Sequence, residues 1–179
     1  MAIPDWARRG RGGWKHTGRE RPPHAIAPGP GQESVWDYPR PPDLVADARE
    51  VVVGTAPEVA RTERALRLRE TASPPAFYVP PEDVDWDTLE PAPGASRCEW
   101  KGEARYWRLR GEHEPIAWSY PEPFDDYAAL RDHVSFYPGR IACTVAGERV
   151  RPQAGGFYGG WITDDVVGPF KGDPGTEGW

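Results

Sequence analysis

Cysteine is almost missing from this chain: Cys98 and Cys143 are the two in 179 residues, 45 positions apart. A disulfide scaffold is thereby excluded, and two separated thiols suit a reducing compartment. Four histidines, His16, His24, His113 and His133, stand in unrelated contexts. Without a Cys-x-x-Cys pair, no zinc set can be assembled, so neither a metal nor another cofactor is expected. No apolar run reaches the roughly 18 residues of a membrane span, and residues 1–14 have no hydrophobic signal core. The reading is of a soluble, cytoplasmic protein. Positive charge is also in deficit: a net charge of −6 argues against nucleic acid or an anionic membrane as the principal partner. Aliphatic residues are scarce enough to hold the apolar fraction at 38%, so the core must be small. The length suits one domain with a real core and is short for two.

What is present is aromatic. Nine tryptophans, seven tyrosines and five phenylalanines offset the missing aliphatics, because each ring buries a large area. Glycine and proline total 42, of which 14 fall in residues 1–42, 11 in 151–179 and only 17 in the 108 residues between. This divides the chain into an N-terminal arm (1–42), a β-rich core domain (43–150) and a C-terminal arm (151–179). The first arm carries +3 against −7 for the middle. Its Arg8-Arg9-Gly10-Arg11-Gly12-Gly13 run reads either as an Arg-Gly tail for single-stranded nucleic acid or as an arm drawn to its own acidic domain. The C-terminal arm looks like a linker by its glycines, but Phe157, Trp161, Phe170 and Trp179 give it the means to dock.

Within the core the pattern is of short strands. Val51–Val53 and Glu58–Thr62 flank a Gly54–Pro57 turn, and residues 65–70 alternate apolar and charged. Ala76–Val79, Pro115–Tyr120 and Ile141–Val145 are further strands, and Gly147 turns a last hairpin. The best helical spacing is Asp125–Val134, with Tyr127, Leu130 and Val134 on one face and acids in the first turn. The stretch Ser96–Trp107 fits a tight hairpin with Lys101-Gly102 at its bend. The fold expected is mainly β, with one or two short helices and Gly/Pro-rich arms.

Three chemistries compete at that hairpin and its flanks. Tyr78, Trp100, Tyr106, Trp118 and Tyr120 can wall a concave aromatic site, with Arg64, Glu70 and Lys101 as polar contacts for a planar or cationic small molecule. The plain alternative is that these rings are core. Cys98 is a candidate nucleophile whose thiol Arg97 and Lys101 could acidify, and Lys101 and Glu70 are the other candidate catalytic residues. Asp83, Asp85 and Asp87 fall on one face if extended and could hold Mg²⁺ for nucleotidyl transfer, though no phosphate-cradling glycine loop accompanies them. The leading expectation is a small-molecule-binding β domain, with an enzyme of bacterial specialised metabolism as one form of it. The alternatives are a non-catalytic protein or nucleic-acid interaction module and metal-assisted nucleotidyl transfer. Monomer and homodimer both remain open.

The runs Phe77-Tyr78-Val79-Pro80, Cys98-Glu99-Trp100-Lys101-Gly102-Glu103-Ala104-Arg105-Tyr106-Trp107, Ala117-Trp118-Ser119-Tyr120-Pro121 and Phe136-Tyr137-Pro138 carry a resemblance. Over residues 43–150 the chain is similar to the domain-of-unknown-function 427 family, bacterial and fungal, sometimes labelled nucleotidyltransferase-like. The resemblance implies a compact fold like the β-tent of methionine sulfoxide reductases and the cereblon ligand-binding domain. The zinc ribbons common in that architecture are missing.

Overall fold

Alternation and turn chemistry build the framework in the computed structural model, which describes residues 3–176 and 179. Gly54, at φ +79°, uses a backbone region that costs glycine nothing. It returns Val51–Val53 onto Ala60–Thr62, with Val51 opposite Thr62. Ala146 and Gly147 both take positive φ, the requirement of a two-residue hairpin turn, and set Val145 opposite Glu148. Three antiparallel sheets of three or four strands result, beside two two-stranded pairs, Glu33–Ser34 with Val166–Val167 and Arg151–Pro152 with Trp161–Ile162. One orders Glu148–Arg149, Cys143–Val145, Val51–Val53 and Ala60–Thr62; the second orders Asp43–Asp47, Ala65–Glu70 and Ser73–Tyr78. The third orders Val134–Phe136, Pro115–Ser119, Gly102–Leu109 and Leu89–Cys98. The fold is mainly β, and among the described residues no helix is long and apolar enough to cross a membrane.

Because neighbouring strand residues face opposite ways, the second and third sheets feed two separate apolar clusters. Phe77 enters the main core with Val51, Val53, Val79, Phe136 and Trp161. Its neighbour Tyr78 enters a second, aromatic cluster with Trp100, Trp118, Tyr120, Tyr127 and Leu130. The same split separates Trp107 from Tyr106. It is the second cluster that surrounds the candidate site.

Three local expectations are corrected. Asp125–Val134 is not one helix: a 3₁₀ segment spans Asp125–Leu130 and is broken at Tyr127 (φ −120°, ψ 23°). Tyr127 and Leu130 are buried as the spacing demands, but Val134 is taken by a strand and pairs with Ser119. The tertiary ladder outweighs a weak local helix preference. The central bend is a three-residue loop, Glu99–Lys101, closed by the Cys98–Gly102 pair, rather than a two-residue Lys101-Gly102 turn. The α-helix lies where the chain looked irregular, at Asp5–Arg11, with Asp5 in its first turn and Arg8, Arg9 and Arg11 in its last, as the helix dipole favours. Arg11 donates to the carbonyls of Glu99 (2.7 Å) and Trp100 (3.1 Å), which fixes this helix to the central loop.

The C-terminal arm folds over the sheets. Trp161 is fully buried 5.2 Å from the Phe77 ring, and its indole N–H donates to the Phe136 carbonyl at 2.9 Å. Phe170 and Trp179 pack beside Trp36 and Val35. Phe157 departs from the docking expected of it, being 65% exposed. Trp161→Ala is therefore expected to destabilise the protein by about 3–5 kcal/mol, measured as a lower urea midpoint with an unchanged slope. Phe157→Ala should leave that midpoint in place.

Candidate functional site

The aromatic cluster is not solid. Between the second and third sheets it leaves a cavity of about 370 Å³, within the usual size range of small-molecule sites. Leu68, Ala76 and Tyr78 line it from one sheet, and Cys98, Tyr106 and Trp118 from the other. Tyr106 and Trp118 are directly opposite one another across their strands. The arms complete the wall with Trp14 from the N-terminal arm and Gln153, Tyr158, Gly159 and Lys171 from the C-terminal arm. Gly159 is needed where it stands, because a Cβ there would lie 2.1 Å from the Trp118 ring.

Lys101 is the unusual member. The loop that carries it is held by Gly102 at φ +105° and by the Phe124 N–H donating to the Lys101 carbonyl at 3.1 Å. This aims the side chain inward: the residue is 6% exposed and lines the cavity. Among the described residues its ammonium makes no hydrogen bond or ion pair; it sits 5.7 Å from the centre of the Tyr120 ring. Burial pulls its pKa down, but the Cys98 thiol, the Tyr120 and Tyr78 phenols and the Glu70 carboxylate outweigh burial and hold it well above the usual lysine range. Burial also raises both phenols above the usual tyrosine range. At neutral pH both phenols are consequently O–H groups. Lys101 is a charged donor looking into the cavity without an acceptor.

A second polar group closes the other side. Glu70 forms an ion pair with Arg40 at 3.3 Å, and the Arg40 side chain is 2% exposed. Arg40 also donates to the carbonyls of His16 (3.1 Å) and Thr71 (2.9 Å) and lies 4.0 Å over the Trp14 ring. The Lys171 ammonium lies 4.2 Å from the centre of that ring and 5.4 Å from Tyr158. Burial, with Arg40 adding to it, holds Lys171 below the usual lysine range against the pull of Glu70 and Glu99. Its ammonium too has no hydrogen bond or ion pair among the described residues.

Of the nine candidate residues, Glu70, Tyr78, Cys98, Lys101, Tyr106, Trp118 and Tyr120 meet in this cavity. Two do not. Arg64 is 63% exposed at its side chain and donates to Asp83 at 2.8 Å, holding that carboxyl below the usual range. Trp100 is buried behind the loop at 4% exposure, under the Arg11 guanidinium, as a packing residue. The aspartates put forward for Mg²⁺ are engaged locally: Asp83 binds Arg64 and Thr62, and Asp85 accepts from the Asp87 N–H. Sequence reasoning missed Trp14, Tyr137, Tyr158 and Lys171. One signal for Lys171 was legible, the echo of Trp100-Lys101-Gly102 in Phe170-Lys171-Gly172. The glycines of both triplets take nearly the same conformation, φ +105° and +103°.

The family model described as a domain of unknown function, DUF427, matches residues 43–147, more than half of the chain. No curated protein matches it.

The two thiols should separate cleanly. Cys98 is half-buried on the cavity wall, whereas Cys143 is fully buried and its pKa is pushed up to about 12 by that burial. A small alkylating reagent is expected to label Cys98 in the native protein and Cys143 only after unfolding, as read by peptide mass mapping. Labelling of Cys143 first would contradict this placement.

Proposed function

We propose, for a chain that belongs to the DUF427 domain family, that the cavity binds a small organic anion with a flat apolar body. The single observation behind this reading is the buried Lys101 ammonium with no acceptor. An ammonium carries three donors to satisfy, and among the described residues none of those on Lys101 has an acceptor. A carboxylate or phosphate oxygen entering the cavity supplies both the charge and the acceptor. The neutral phenols of Tyr78 and Tyr120 are further donors to the same anion. The Tyr106 and Trp118 rings offer faces for the flat body, and stacking of this kind is worth about 0.5–1.5 kcal/mol beyond burial.

Lys101 then acts by charge. An amine held protonated is a poor nucleophile, so the reading assigns it anion binding rather than Schiff-base formation. Cys98 and Glu70 line the same cavity from opposite sheets and would face the bound molecule. The aromatics surround a concave site, with Trp118 8% and Tyr120 5% exposed, which favours a ligand over a flat docking surface.

The probe is 2-naphthoate, followed by tryptophan fluorescence and thermal shift. Lys101→Met keeps the apolar stem and removes the charge. Affinity for 2-naphthoate is expected to fall at least about tenfold, the equivalent of 1.4 kcal/mol. The unfolding free energy should not fall by more than about 1 kcal/mol, since an unpaired buried charge has been replaced by an apolar group of similar shape. Affinity in the wild-type protein should hold through neutral and mildly alkaline pH, because Lys101 loses its proton only above the usual lysine range. Equal affinity in the wild-type and Lys101→Met proteins would refute the reading.

A further inference from the structure

The cavity contains a second unpartnered ammonium, delivered by the same local device as the first. In each triplet a lysine follows a large aromatic residue and precedes a glycine in the left-handed region, and in each the backbone around the lysine is pinned. Phe124 N–H donates to the Lys101 carbonyl at 3.1 Å. The Lys171 N–H donates to the Ala72 carbonyl at 2.7 Å, and its carbonyl accepts from the Gln153 amide at 2.6 Å. A side chain at either glycine would be strained, and at Gly172 a Cβ would also lie 2.5 Å from the Ala154 carbonyl oxygen. Both backbones are thus fixed while both ammonium groups are left without acceptors.

The two lysines occupy different parts of the site. Lys101 is deep, beside the buried Tyr78 and Tyr120. Lys171 is half-buried towards the mouth, between Trp14 and Tyr158, and Tyr158 is itself 38% exposed. The other charged groups on or behind the lining do not take up either ammonium. Glu70 is engaged by Arg40 at 3.3 Å, and Arg97 by Glu103 at 3.4 Å. Glu99 acts on Lys171 through space without forming an ion pair with it.

From this pairing of a deep and an outer ammonium we infer that the preferred ligand is a dianion with two separated oxyanion groups, one for Lys101 and one for Lys171, joined by a flat apolar body. The inference rests on the anion-binding reading above and narrows it to a substrate class. A single carboxylate leaves one of the two ammonium groups without an acceptor. Two carboxylates, or a carboxylate and a phosphate, satisfy both. Lys171 lies outside the residues matched by the family model, so the outer half of this specificity belongs to the C-terminal arm.

The test compares 2-naphthoate with 2,6-naphthalenedicarboxylate, which share one flat body and differ in the second carboxylate. Binding is measured by calorimetry at fixed ionic strength on the full-length wild-type protein, Lys171→Met, Lys171→Arg and Lys101→Met. The dicarboxylate is expected to bind the wild type at least about tenfold more tightly than the monocarboxylate. Lys171→Met should reduce that advantage to about twofold or less, and Lys171→Arg should restore most of it. Lys101→Met should weaken both compounds. An advantage that survives in a folded Lys171→Met protein overturns the inference. Equal affinity for the two compounds in the wild type, with Lys101→Met still weakening both, overturns it too and leaves the anion-binding reading standing. If neither compound binds the wild type, both readings fall together.

Discussion

A lysine ammonium held inside a protein without a counter-ion constrains everything built around it. The cost is tolerable at Lys101 because the group faces a cavity and polar phenols rather than close-packed hydrocarbon. Its position is then maintained from several directions. Gly102 supplies the backbone conformation, the Phe124 N–H binds the lysine carbonyl, and Trp100 fills the space behind the loop. Arg11 reaches the carbonyls on the two preceding residues, Glu99 and Trp100, so the N-terminal helix holds the same loop from outside. Helix, hairpin and cavity are mechanically one unit.

The arms are as much a part of the site as the sheets. Arg40 joins them to it by bonding Glu70 on the cavity wall, the His16 carbonyl of the N-terminal arm and the face of Trp14. The two arms are also tied to each other. The Trp36 indole donates to the Pro169 carbonyl at 3.1 Å, the Ile26 N–H donates to Gly168, and His24 stacks on Trp179 at 4.6 Å. Lys171 is thus positioned by contacts that run through both ends of the chain. The described segments flanking residues 43–147 supply Trp14, Gln153, Tyr158 and Lys171, and the cavity would lack its mouth without them.

Aromatic residues have two roles here, and strand alternation divides them. Phe77 and Trp161 pack into the main core among Val51, Val53, Val79 and Leu89, while the neighbouring Tyr78 turns to the cavity. The Tyr78 phenol accepts from the Trp118 indole N–H at 3.2 Å, which locks two walls of the site together. Packing and site geometry are therefore coupled at this pair: a change in Trp118 alters both.

Alternation, turn residues and composition determined most of the strands, the turns at Gly54 and Gly147 and the mainly β class, and they singled out seven residues that line the cavity. These signals are local, set by side-chain period and by which residues tolerate positive φ. Lys101 was legible for the same reason, since a lysine beside a turn glycine has few directions available. Arg64 was misplaced because its partner is Asp83, 19 residues away, and the pairing removes it from the cavity. The helix at Asp5–Arg11 and the strand at Val134 escaped because each depends on what it packs against: Arg11 on the central loop, Val134 on Ser119 and Val79. Above all, only the tertiary structure decided that the glycine-rich arms return to the domain and that Lys171 meets Lys101 across one cavity. Seventy residues separate the two lysines in sequence, and no periodicity or spacing spans that distance; the fold brings them together by burying the aromatics around them.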